Sequence, residues 1–234
     1  MRRREFLNAC AAVAGAAQVG AAARSWAATP PRLYSRALLV DVNSDPIKAA
    51  RIAARTNYVF NYPFGGTPCF LLNLGRAVST KAELRLADGT AYAWTGGVGK
   101  GRAIVAYSAI CAHRLAYPAR EVSFIRFQSD RSPTSDGDVI HCCAEHSVYD
   151  PSAGARVVSG PAPQPLAAIV LDYDPVRDEL YALGTVGAEQ FDAFFSKYDF
   201  KLAMEYGPGR AQAPVGKTAV VREMAQYCRQ TIQC

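Results

Sequence analysis

Residues 108–166 set out Cys111-Ala112-His113, then, after a long connection, His141-Cys142-Cys143-Ala144-Glu145-His146, and finally Gly160-Pro161-Ala162-Pro163. All three histidines and three of the seven cysteines fall within this stretch. The pairs Cys111-x-His113 and Cys143-x-x-His146 offer two thiolates and two imidazoles to metal. Such a set suits a tetrahedral structural zinc ion or an iron-sulfur centre of mixed ligation. Either choice requires two loops far apart in sequence to meet.

Three further features separate these choices: Tyr149-Asp150-Pro151 after the second pair, the Gly160-Pro161-Ala162-Pro163 turn, and the apolar strand leading into Cys111. With them the stretch resembles the Rieske iron-sulfur family. The resemblance implies one [2Fe-2S] cluster, with Cys111 and Cys143 on one iron and His113 and His146 on the other. It also implies that the turn containing Pro161 covers the cluster. Ser147 and Tyr149 carry hydroxyls able to hydrogen-bond cluster or cysteine sulfur and so raise the potential.

The chain departs from the family pattern in places. Quinol-oxidising members carry two more cysteines that bridge the ligand loops; Ala116 and Glu145 stand at those positions here. Ser147 replaces the glycine that usually follows the second ligand histidine, and Tyr149-Asp150 arrives one residue early. The second loop is therefore either shortened after His146 or lengthened before it, and in the latter case Cys142 replaces Cys143 as ligand. Cys143 is expected because it preserves Cys-x-x-His. His141 is then a spare polar residue at a strand end. With Cys111 and Cys143 on iron, Cys69, Cys142, Cys228 and Cys234 remain beyond the leader, an even number compatible with one or two disulfides in an oxidising compartment.

The N-terminus has a charged start, an alanine-rich middle and small residues near Ala27, the pattern of a cleaved signal peptide. Arg3-Arg4-Glu5-Phe6-Leu7 resembles the twin-arginine export motif, which implies passage of the folded protein to the periplasm. An uncleaved leader would instead anchor the chain in a membrane, although a span needs about 20 mainly apolar residues. Arg2, Arg3, Arg4 and Arg24 against Glu5 account for half of the formal charge of +6, and the remainder is too mild to suggest nucleic acid.

Short apolar or strand-like runs at residues 38–43, 58–62, 69–74, 82–86, 91–94, 121–127, 167–173 and 179–183 predict an all-β fold, an antiparallel sandwich or barrel. The cluster-binding subdomain would occupy about residues 108–166 within a domain over 28–205, after a signal peptide over 1–27. A few peripheral helices are expected. Asp45-Pro46 reads as the start of a helix to Arg55, residues 188–198 have helical spacing with Phe191, Phe194 and Phe195 on one side, and residues 206–234 read as a linker and a C-terminal helix from Thr218 to Gln230. That tail is expected to lie along a partner.

The resemblance implies a periplasmic electron-transfer subunit, with no catalytic residue of its own. It is most similar to small subunits of the arsenite-oxidase type, which implies relay of single electrons between a molybdenum-pterin catalytic subunit and a c-type cytochrome. A Rieske subunit of a cytochrome bc-type quinol-oxidising complex is the first alternative, and a zinc-stabilised exported binding module the second. An aromatic-ring oxygenase is excluded by inventory: its separate iron needs two further histidines, and His141 alone is left.

Overall fold

The strand Pro68–Asn73 is apolar at nearly every position and buried on both faces. Alternation sends Phe70 and Leu72 to one core and Cys69 and Leu71 to another. Its antiparallel neighbour Ile104–Ser108 does the same, with Val105 and Tyr107 on the first side and Ile104 and Ala106 on the second. The computed structural model to which these strands belong describes residues 29–78 and 81–234.

Among the described residues, eight strands form the main sheet in the order Thr218–Val220, Arg32–Val40, Glu179–Val186, Ala168–Asp174, Ile104–Ser108, Pro68–Asn73, Tyr58–Asn61, Arg222–Glu223. The first pair is parallel and the rest antiparallel. The two end strands of this order are separated in sequence by Val221 alone. The sheet edges must therefore lie side by side, and the sheet curls into a near-barrel. Val221 crosses the seam, donating its amide to Val40 O at 2.8 Å while its side chain joins Leu39, Phe60, Leu71 and Ala219 in the interior.

A second sheet, Arg156–Ser159, Ser147–Asp150, Val139–Cys142 and Ile125–Gln128, is antiparallel throughout. Ile125, Phe127, Ile140 and Tyr149 from this sheet meet Phe70, Leu72 and Tyr107 from the barrel. Each such side chain, once fully buried, contributes about 1.5–3 kcal/mol relative to an exposed one. The small sheet thereby sits as a cap on the barrel, in the all-β arrangement expected.

Two predicted helices are absent. After Pro46 the backbone forms only a 3-10 turn, Ala49–Arg51, because its donors are taken elsewhere. The Ile47 amide bonds Leu39 O, and the Ala49 amide bonds Asp178 O at 3.0 Å, so no i to i−4 ladder can start. At the C-terminus, Ala219 and Val221 alternate into the barrel with a period of two, and the chain runs as strands before a single turn, Met224–Tyr227. The tail is part of the fold rather than a free partner-facing helix. Gln230–Thr231 pairs in parallel with Val122–Ser123, and Cys234 is disulfide-bonded to Cys143. The aromatic helix is longer than expected, Phe191–Tyr206, with non-helical backbone at Tyr198. The leader, with its twin-arginine motif and cleavage site, lies outside the described residues.

Candidate metal centre

The strand Ile104–Ser108 delivers the first loop to the top of the cap. Past Ala109, whose amide bonds Pro68 O, the chain turns tightly: Cys111 N donates to Ala116 O at 2.8 Å and Leu115 N to Cys111 O at 3.0 Å. Leu115 closes the turn at a positive φ of 64°. The aromatic helix holds this loop from behind. Phe191, Phe194 and Phe195 pack with Ile110, Leu115 and Tyr117 in a third core, the rings of Tyr117 and Phe194 meeting edge to face at 4.9 Å. Gln190 Nε2 donates to Ala112 O at 3.1 Å, and Lys197 Nζ to Arg114 O at 2.6 Å.

The second loop is the hairpin connection between Val139–Cys142 and Ser147–Asp150, whose register pairs Cys142 with Ser147. Residues 143–146 make the bend. His146 adopts a positive φ of 58°, in the position that Leu115 holds in the first loop, four residues after a cysteine. Backbone amides of His113 and Arg114 bond the Cys111 sulfur, and those of Ala144 and Glu145 bond the Cys142 sulfur. The two loops therefore share one frame: a cysteine, amide donors two and three residues on, and a left-handed residue next.

Cys111 and Cys142 face each other across this frame, buried and in hydrogen-bond contact. The Cys111 thiol is pulled down to about 6, first by Cys142, then, against burial, by the Tyr149 hydroxyl and the two amides. Cys142 is pushed up by the neighbouring Cys111 sulfur and by burial. Burial, followed by the Cys111 charge, raises Tyr149 well above the usual phenol range, so its hydroxyl remains a donor. The outer end of the site is more open and holds His113 and Glu145, with His113 Nδ1 3.1 Å from Glu145 Oε2.

The structure does not bring the Cys143 sulfur to Cys111, as the expected ligand set would require. The Cys143 sulfur is bonded to Cys234, with a Cα–Cα separation of 5.5 Å inside the usual disulfide range, so no thiolate remains there. The physical reason is the alternation of the Val139–Cys142 strand, which turns Cys142 inward to Cys111. Cys69, Cys111, Cys142 and Cys228 are free. Nor does the structure bring His146 to His113: the exposed His146 ring stands 5.8 Å from the ring of His141, and both histidines lie near Cys234, whose sulfur is held in the disulfide. His141, third of the four residues of the Val139–Cys142 strand, is fully buried, and neither of its nitrogens has a hydrogen-bond partner. Of the expected tuning residues, Tyr149 reaches Cys111, Ser147 is buried with its hydroxyl unpaired, and Pro161 is exposed. The Pro161 turn meets the site through Gly160, which presses on the backbone of His146 and Ser147, and through Ala162, packed in the core of Cys111 and Cys142.

Sequence reasoning weighed Cys142 and read Glu145 only as the position of an absent bridging cysteine.

No family model matches the chain. It is similar to the soluble domain of the Rieske protein II (soxF) from Sulfolobus acidocaldarius, at 29% identity over 65% of this chain and 78% of that one, with a TM-score of 0.47.

Proposed function

We propose that this chain is a Rieske-type carrier of single electrons, built to hold one [2Fe-2S] cluster between the Cys111 and Cys142 loops. The observation that carries this reading is the state of the cysteines. Cys111 and Cys142 stay free although they share one buried hydrogen-bonding neighbourhood, while Cys143 and Cys234 are joined.

The donor chemistry fits such a group. Four backbone amides and the Tyr149 hydroxyl converge on two sulfurs, which is more donor capacity than neutral thiols need and suits thiolates on metal. Ser147 Oγ is buried without a hydrogen-bond partner, and an orphaned buried polar atom calls for an explanation such as an unseen group. A bound cluster supplies a reversible one-electron couple. The residues do the rest: Tyr149 and the amides favour negative charge on sulfur, the aromatic helix fixes the first loop, and the partly open His113 end is where a redox partner approaches.

For the setting of this carrier, the twin-arginine-like leader supports export to the periplasm. The likeness of the ligand stretch to arsenite-oxidase-type small subunits supports a molybdenum-pterin catalytic subunit as electron donor and a c-type cytochrome as acceptor. Among the described residues no helix is long and apolar enough to cross a membrane.

The test is low-temperature EPR of the dithionite-reduced protein, with iron and acid-labile sulfide assayed on the same sample. A rhombic signal of mean g below two, with iron and sulfide in equal amounts, is expected. Stoichiometric zinc without sulfide would overturn the reading.

A further inference from the structure

Resting on that reading, we infer that the fourth ligand is the carboxylate of Glu145, so that the site binds its cluster through Cys111, Cys142, His113 and Glu145. The second imidazole anticipated from the ligand pattern, that of His146, lies outside it.

Backbone position comes first. Both loops hold their cysteine sulfur with the amides two and three residues on, and both end in a left-handed residue. In the second loop that frame starts at Cys142 and places Glu145 third and His146 at the left-handed position. His146 is thereby directed to the far side, toward His141 and Cys234.

Side-chain geometry agrees. Glu145 Oε2 stands 3.1 Å from His113 Nδ1, so carboxylate and imidazole face one another at the mouth of the site. Two ligands about 2.1 Å from one tetrahedral ion are about 3.4 Å apart. At 3.1 Å the two atoms need little movement to reach one metal together. The other oxygen, Oε1, pairs with Arg114 Nε at 3.0 Å, which leaves Oε2 free to bind alone. An ordinary surface ion pair would account for the Arg114 contact, but such pairs contribute little to holding a carboxylate.

Carboxylate is an established partner of imidazole on iron. Replacing a neutral imidazole with it adds one negative charge, and a more negative cluster has a lower potential. The inference therefore predicts a carrier of lower midpoint than the two-imidazole set would give.

The experiment counts histidine nitrogens by pulsed EPR on reduced full-length protein labelled with nitrogen-15 at histidine. Wild type should show one strongly coupled histidine nitrogen, His146→Ala should leave spectrum and iron content unchanged, and Glu145→His should gain a second coupling and raise the midpoint. Two couplings in wild type, one of them lost in His146→Ala, would overturn the Glu145 assignment and leave the iron-sulfur reading standing. Absence of iron and acid-labile sulfide from the wild type would overturn both. The wild-type count decides even if Glu145→His fails to fold.

Discussion

The Tyr149 hydroxyl lies 3.3 Å from the Cys111 sulfur and at the same time accepts the Ala112 amide at 3.1 Å. One side chain from the second sheet thus ties the first loop to the second, and its raised pKa leaves the proton on oxygen, available to sulfur. Hydrogen bonds to charged acceptors contribute about 1.5–3 kcal/mol, and the potential reads only the difference between oxidation states. Taking that difference as about 1 kcal/mol, at ~59 mV per tenfold change for one electron, Tyr149→Phe should lower the midpoint by ~40 mV. Protein-film voltammetry measures it, and an unchanged midpoint would remove Tyr149 from the tuning residues.

Adjacent cysteines in the second loop carry separate tasks, and substitution should split them. The pair Cys143→Ser with Cys234→Ser opens a disulfide between residues 91 apart, which should reduce stability by about 2–4 kcal/mol while iron content stays at the wild-type level. Cys142→Ser should keep the disulfide and lose the iron. Iron assay and thermal unfolding on the same samples test both halves, and retention of iron in Cys142→Ser would refute the assignment.

The first loop depends on the aromatic helix. Phe194 is fully buried against Tyr117, and Phe→Ala in a core costs about 3–5 kcal/mol. Because the Cys111 loop leans on that ring, Phe194→Ala should also speed release of iron to a chelator at temperatures where the protein remains folded. A lowered melting temperature with unchanged release kinetics would mean that the helix stabilises the fold without positioning the site.

Glu205, near the end of the same helix, gives a pH dependence of known sign. Burial raises its carboxyl above the usual range, with Lys201 opposing the shift. The unfolded chain therefore loses this proton first, and as pH rises past the usual carboxylate value of about 4.3 toward the raised one, the unfolded state binds fewer protons and stability falls. Glu205→Gln should remove that loss, giving a smaller decrease in urea midpoint between pH 4.5 and 7 than the wild type shows. Parallel decreases in the two proteins would rule Glu205 out as the cause.

Much of this architecture is legible in residue order, and the exceptions have local causes. Short apolar runs such as Pro68–Asn73 and the Asp174-Pro175 hairpin bend specify strands without help from the rest of the chain. The failed helices are segments whose fate is decided by partners: Asp178 claims the amides after Pro46, and the open barrel edges claim Thr218–Val220 and Arg222–Glu223. At the site, Cys111 and His113 were identifiable from spacing. Cys142 was open to confusion with Cys143 because two spacing rules compete over a single residue, and only strand alternation together with Cys234, 91 residues away, separates them. Glu145 drew no ligand reading because a histidine stands next to it, and a histidine attracts the assignment.

The turn containing Pro161 can be tested through its glycine. Gly160 has a φ of 87°, and a Cβ built there would stand 2.3 Å from His146 O and 2.6 Å from Ser147 Cα. Both obstacles are backbone of the second loop, so they cannot rotate away as a flexible side chain would. Gly160→Ala must push the His146–Ser147 peptide aside, and with it Glu145 on one side and the buried Ser147 hydroxyl on the other. Left-handed backbone alone costs a non-glycine residue about 1 kcal/mol, so that share needs a control. Gly89 provides it, with a φ of 85° and open space for 4 Å around the place a Cβ would take. Gly89→Ala should show only the small stability loss. Gly160→Ala should retain the wild-type far-UV circular dichroism, since the barrel does not depend on this turn, but bind substantially less iron. Equal iron in the two variants would show that the turn covers the site without shaping it.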